Sequence, residues 1–231
     1  MSNKRHDVDY TTSPVDKAGR KSNLSMFMVM LGFTFFSASM WVGQQLADGL
    51  NFWDFLWALL LGGLILAAYT GSLGYIGAES GLSLDMLARR SFGIKGSWLP
   101  SAMISFTQIG WFGVGLAMFA IPVAKEFLGL EVTPDFMPWQ GYLLVAIAGV
   151  LMTASAYYGI KSLTIISYIA VPAVAILGTV AMIMAVNRGD VGLVEQFAKG
   201  SKTLGVIAGD GLVVGSFVSG GTATPNFTRF A

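Results

Sequence analysis

The sequence predicts an all-α polytopic membrane protein, and three observations carry that prediction. Of its 231 residues, 54% are hydrophobic and only 12% are charged, where a soluble domain carries about 25%. The apolar residues gather into six runs long enough to cross a bilayer, which takes roughly 20 helical residues. The charges fall almost wholly between those runs. The same figures exclude other classes. A net charge of +1 leaves no electrostatic footprint for nucleic acid. With no cysteine there is neither a disulfide nor a thiolate metal site. His6, the single histidine, lies in a polar tail, so no histidine-based metal site or triad exists in the chain. Nucleophile elbow, Walker loop and metal-ligand spacing are all missing. The chain reads as a non-enzyme without a cofactor.

Residues 1–23 mix both charges with Ser, Thr, Pro and Gly and lack apolar periodicity, the composition of a disordered tail. The membrane domain follows over residues 24–231. Its predicted spans are 24–46, 52–76, 98–127, 140–158, 163–186 and 204–221. The third is longer than a bilayer needs, which implies tilt. Trp53, Trp57, Trp98, Trp139, Tyr157 and Tyr158 sit near the predicted ends, where interfacial aromatics belong. Pro122 and Pro172 fall inside spans 3 and 5, where each removes a backbone donor and predicts a kink. Residues 83–93 suggest a short amphipathic helix on the cytoplasmic surface, and residues 190–199 a second one outside.

Charge orients the spans. With the N-terminus inside, the cytoplasmic segments hold Lys4, Arg5, Lys17, Arg20, Lys21, Arg89, Arg90, Lys95, Lys161 and Arg229. The external ones hold only Lys125, Arg188, Lys199 and Lys202. The positive-inside rule therefore predicts a cytoplasmic N-terminus, for a chain expected in the cell inner (plasma) membrane. Spans 1 and 6 then run in opposite directions.

Those two spans share a second property. Residues 32–41 (GFTFFSASMW) and 215–222 (GSFVSGGT) place Gly, Ser and Thr where a lipid-facing helix would carry Leu and Ile. Paired interruptions of this kind point to the binding site of a secondary transporter. Irregular backbone survives in a membrane only when it is buried or lines a cavity. The alternative is close helix packing, since small residues let two backbones approach.

Several side chains fit a small planar ligand. Gln108 and Trp111 are three apart in span 3 and share a helix face. Together they offer an indole to stack on a ring and an amide to read its edge, or else a Gln bonded to a neighbouring helix with Trp packing beside it. Phe217, flanked by Ser216 and Ser219, could form the opposite wall. Near Gly32, carbonyls freed by unwinding and the hydroxyls of Thr34, Ser37 and Ser39 could coordinate a hard cation such as Na⁺, or simply pack. Asp210 is the one carboxylate clearly within a span, a functional candidate by default. Its place near the external end, between Gly209 and Gly211, favours a side chain that reaches the headgroups over one that supports intramembrane catalysis.

Five runs resemble a known family. They are VMLGFTFFSASMW (29–41), GYIGA (74–78), SFGIKGSWLP (91–100), TQIGWFGVG (107–115) and VGSFVS (214–219). Together they are similar to the bacterial cytosine permeases of the nucleobase:cation symporter-1 family, over about residues 23–231. Hydantoin and allantoin carriers fit the same runs less well. The resemblance implies a leucine-transporter-type fold of two inverted five-helix repeats, with spans 1 and 6 as broken helices. The first repeat would occupy about residues 24–187, and residues 204–221 would open the second. It implies cytosine uptake coupled to a cation, with Na⁺ expected, by alternating access. Trp111 and Phe217 would sandwich the base, Gln108 would bond its edge, and Ser216 and Ser219 would add contacts. Backbone carbonyls of Gly32 and Phe36 would contribute to the cation site. The family completes both sites with polar residues on an eighth span. The chain is therefore expected to be a partial sequence, and a non-transporting membrane fragment is the alternative reading.

Overall fold

The computed structural model describes residues 10, 12–35, 37–133, 135–188 and 203–231. The architecture among them is helical: α1 (Asn23–Thr34), α2 (Ser37–Gly49), α3 (Phe52–Ser80), α4 (Leu84–Gly96), α5 (Trp98–Pro122), α6 (Trp139–Tyr157), α7 (Gly159–Arg188), α8 (Val206–Thr222) and α9 (Pro225–Thr228). Five helices are long and apolar enough to cross a membrane, and α1 with α2 make a sixth span if the bent pair is counted as one. The predicted spans match these elements to within a few residues. The expected external helix at 190–199 lies outside the described residues.

Local chemistry sets the boundaries. The Asn51 side chain accepts from the Asp54 amide at 2.9 Å and caps α3, with Asp54 placed favourably in the first turn. Gly81 ends α3 at φ +64°, the left-handed conformation that suits glycine. Ser83 caps α4 through the Met86 amide, so the amphipathic helix expected at 83–93 is present. Pro122 does not interrupt α5 but closes it, and a π-helical turn follows over Val123–Phe127. Such turns re-house the hydrogen bonds that a proline disrupts.

Span 1 is broken as expected. The Thr34 hydroxyl donates back to the carbonyls of Met30 and Leu31 at 3.1 and 3.0 Å, and the Phe35 amide also goes to Leu31. Back-bonding of this kind competes with the helical ladder and bends helices. The axes of α1 and α2 differ by 50°.

Span 6 departs from expectation. Residues 215–222 stay helical, and the interruption comes just after them, where Ala223 and Thr224 lead into α9. Two of the glycines in this region serve close packing instead. A Cβ on Gly221 would lie 2.8 Å from Thr70 Oγ1, and one on Gly209 would lie 2.8 Å from Leu50 Cδ1 and 3.1 Å from the Ala58 Cβ. From the α3 side, a Cβ on Gly62 would meet Val213 Cβ at 2.7 Å, and one on Gly77 would meet the Pro225 Cα at 2.8 Å. α3 thus packs closely against α8 and α9 along a glycine seam, the usual solution where no hydrophobic force drives helices together.

The N-terminal tail also departs from expectation. Its second half is a strap laid across the ends of α1, α3 and α7. Val15 is 4% exposed and packs with Met26, Val29, Ile160 and Phe230. The Val15 amide donates to the Gly81 carbonyl at 2.9 Å, and the Lys21 amide donates to the Phe230 carbonyl. Arg229, 8% exposed, donates to the Tyr10 carbonyl at 2.9 Å and lies 4.8 Å from the Phe230 ring centroid. A composition reading misses this because the partners of the strap, among them Gly81, Ile160 and Phe230, are spread along the chain, some of them about two hundred residues away.

Three outcomes test the seam and the strap. Gly77→Leu, which meets the Pro225 backbone as well as the Thr228 side chain, should destabilise the protein by about 1–3 kcal/mol. Gly63→Ala, with open space around it, should leave the melting temperature in detergent unchanged or raise it slightly. Val15→Glu, which places a charge in a buried apolar cluster, should release the strap, and trypsin should then cut at Lys17 and Arg20 faster than in the parent.

Candidate functional site

The sequence-predicted residues converge. Gln108 and Trp111 from α5, and Ser216, Phe217 and Ser219 from α8, line one cavity of about 350 Å³, closed on a third side by Gly32 and Phe33 of α1. A site of that size suits a small molecule, and four of its nine lining residues are aromatic, as ring recognition requires. The polar groups are few and placed. Gln108 Nε2 donates to the Ser219 carbonyl at 3.3 Å. Trp111 Nε1 donates to Ser219 Oγ at 3.0 Å. Ser219 therefore fixes both α5 side chains through its backbone and its hydroxyl. Ser216 Oγ donates to the Val213 carbonyl at 2.7 Å, which leaves its lone pairs toward the cavity as acceptors.

Sequence reasoning missed Phe33. Its ring stands edge-on to Phe217, with centroids 5.3 Å apart at 61°, and lies 4.6 Å from Phe227. Phe33 thus braces the wall that Phe217 forms. The only signal was its position beside Gly32 in the interrupted run, and a phenylalanine in an apolar span otherwise resembles a lipid-facing one. Phe112 and Gly220 also line the cavity. A Cβ on Gly220 would press at 3.3 Å on both Phe33 and Phe217, so glycine there keeps the two rings in place.

Of the expected cation residues, Gly32 reaches the cavity wall. It sits in the last turn of α1, where carbonyls lack intrahelical donors. A Cβ there would come within 2.7 Å of Ser167 Oγ on α7, so a hydroxyl is already close to this turn. Phe36 lies outside the described residues. Among the described residues no three His, Cys, Asp or Glu side chains come together as metal ligands, so any cation held here would depend on carbonyls and hydroxyls.

Asp210 does not simply reach the headgroups. Its Oδ1 is buried and without a hydrogen-bond partner among the described residues. It lies against α3 where Gly62 leaves room, 2.9 Å from the position a Cβ on Gly62 would take. Gly62 is ten residues into α3, about 15 Å along its axis.

Apolar spans around a cavity with aromatic walls and a few fixed polar groups define a multi-pass membrane protein. The chain belongs to the family described as permeases for cytosine/purines, uracil, thiamine and allantoin, whose model matches residues 14–231. It is 48% identical over 225 residues to the cytosine permease of Escherichia coli K12, covering 97% of this chain and 51% of that protein. It is 33% identical over 95 residues to an allantoin permease of Bacillus subtilis, covering 41% of this chain and 19% of the relative. It is 23% identical over 165 residues to a hydantoin permease of Microbacterium maritypicum, covering 70% and 32%. The chain spans about half the length of the cytosine permeases it matches. These relatives are named as permeases, not enzymes.

The Ser219 arrangement makes a direct prediction. Ser219→Ala removes the acceptor of the Trp111 indole and should cost about 1 kcal/mol of stability. The Trp111 contribution to intrinsic fluorescence, isolated against a Trp111→Phe background, should change with it.

Proposed function

We propose that the protein imports cytosine together with a cation, with Na⁺ as the coupled ion. The observation that carries this reading is the convergence of Gln108, Trp111, Ser216, Phe217 and Ser219, from two separated helices, on one cavity. The identity to a cytosine permease supports the choice of base. Trp111 and Phe217 would hold the pyrimidine between them, and Phe33 would brace the second ring. Gln108 has one amide hydrogen committed to the Ser219 carbonyl. Its Oε1 and second hydrogen remain for the base. An amide oxygen accepts from the exocyclic amine of cytosine but meets a carbonyl in uracil, so the wrong base leaves buried polar groups unpaired.

In this reading the break in span 1 frees the backbone carbonyls of Gly32 and Phe36 to hold the cation. Spans 1 and 6 open two inverted repeats that rock about the site by alternating access, and the N-terminus faces the cytoplasm of a cell inner membrane. The remaining half of the relatives' length would supply the rest of both sites. The allantoin and hydantoin permeases among the relatives favour one second reading, a related five-membered ring bearing amide and carbonyl edges.

Uptake of labelled cytosine into cells making the full-length protein tests the proposal. Uptake should need Na⁺, and replacing Na⁺ with choline should abolish it. Phe217→Ala or Trp111→Ala should weaken cytosine binding about 5- to 100-fold, the worth of one lost stacking face. Gln108→Leu should weaken it at least tenfold and erase the preference over uracil. Uptake of hydantoin or allantoin in preference to cytosine would establish the second reading. Residues 1–231 expressed alone should bind cytosine far more weakly than the full-length protein, and parent-like affinity would show that the first half suffices.

A further inference from the structure

A second cavity lies away from the base site, among the strap, α4 and the start of α5. It measures about 340 Å³, and Thr12, Asp85, Met86, Arg89, Trp98 and Ser101 are among its lining residues. Because α4 joins two spans, this cavity sits at a membrane face. At Gly93 (φ +71°) the backbone of α4 leaves helical geometry, and the segment around it presents apolar side chains outward. Ile94 and Trp98 are each 74% exposed, and Phe92 and Leu99 nearly as much. Exposed aromatics and aliphatics beside charged residues are the signature of the headgroup and acyl boundary.

The charges inside this cavity are arranged unusually. Asp85 and Arg89 are four apart on one helix, with the acid N-terminal, the order in which such pairs attract best. Yet they form no ion pair among the described residues. Ser101, from α5, donates its hydroxyl to Asp85 instead. Arg89 is exposed and has no hydrogen bond among the described residues. A carboxylate and a guanidinium are thus held on the wall of one cavity without neutralising each other. A ligand that satisfies both must carry an anion and a hydrogen-bonding cation a few atoms apart. The apolar rim adds that it carries a hydrocarbon portion.

We propose that this cavity binds the headgroup of an aminophospholipid, with its phosphate on Arg89 and its primary ammonium on Asp85. Guanidinium matches phosphate in fork geometry, and an ammonium can donate N–H to the Asp85 oxygen that Ser101 leaves open. A trimethylammonium headgroup fits the charge but donates no hydrogen bond. A simple anionic headgroup satisfies Arg89 and is repelled by Asp85.

Native mass spectrometry of the purified full-length protein tests this, with equimolar phosphatidylethanolamine, phosphatidylcholine and phosphatidylglycerol of identical acyl chains. Phosphatidylethanolamine should be retained about fivefold over either of the others, the ratio that one extra charged contact provides. Asp85→Asn, which keeps an acceptor for Ser101, should abolish the preference over phosphatidylcholine. Asp85→Glu should keep it, which separates loss of charge from loss of fold. Arg89→Gln should lower retention of all three. Glycerophosphoethanolamine without acyl chains should fail to compete. Equal retention of the three lipids, preference for phosphatidylglycerol, or lipid retention indifferent to Asp85→Asn and Arg89→Gln would each overturn the proposal.

Discussion

The structure depends on one close approach, that of α3 to α8. Neither helix gains from burying apolar surface, because lipid is as apolar as leucine. They hold together because Gly62, Gly209 and Gly221 remove the side chains that would keep them apart, and Gly77 does the same where α3 meets α9. Dispersion contacts fall off steeply with distance, so the seam works only if it is uninterrupted. With α8 fixed against α3, Ser216, Phe217 and Ser219 are presented to α5 and α1. The cavity is thus a consequence of the packing. Tyr69 of α3 hydrogen-bonds Thr222 of α8 at 2.7 Å, a polar tie at the C-terminal end of α8.

This constraint explains what was legible in the sequence. The spans were legible because hydropathy and length decide them, and tertiary contacts shift their ends by only a few residues. The break in span 1 was legible because its cause is local: the Thr34 hydroxyl bonds to its own preceding turn. The interruption in span 6 was misplaced because glycine, serine and threonine serve two purposes in a membrane helix. They let backbones approach, and they let backbones unwind. Composition cannot separate these, since the difference lies in whether another helix faces the glycine. Here α3 faces Gly221 and two rings face Gly220, and the helix ends only at Ala223.

The cavity residues show the same division. Gln108 and Trp111 stood out because a polar amide and an indole three apart are unusual in a span. Phe33 did not stand out, yet it carries more of the site's geometry than its composition suggests. It touches Phe217 on one side and Phe227 on the other. Phe227 in turn packs against the cluster that buries Val15. A continuous set of packed side chains therefore runs from the cavity wall to the strap at the membrane face.

Contiguity alone does not make a coupling path. That requires an element with two arrangements that both ends can bias. The element in the right place is the bend between α1 and α2. It begins directly after Phe33, its backbone is held by a threonine side chain rather than by a full helical ladder, and the cavity lined by Thr34, Phe35, Ser39 and Gly178 leaves space beside it. The strap bears on the opposite end of the same helix, through Met26 and Val29. α1 is thus packed against the strap at one end, while its other end adjoins both the break and the cavity walled by Phe33.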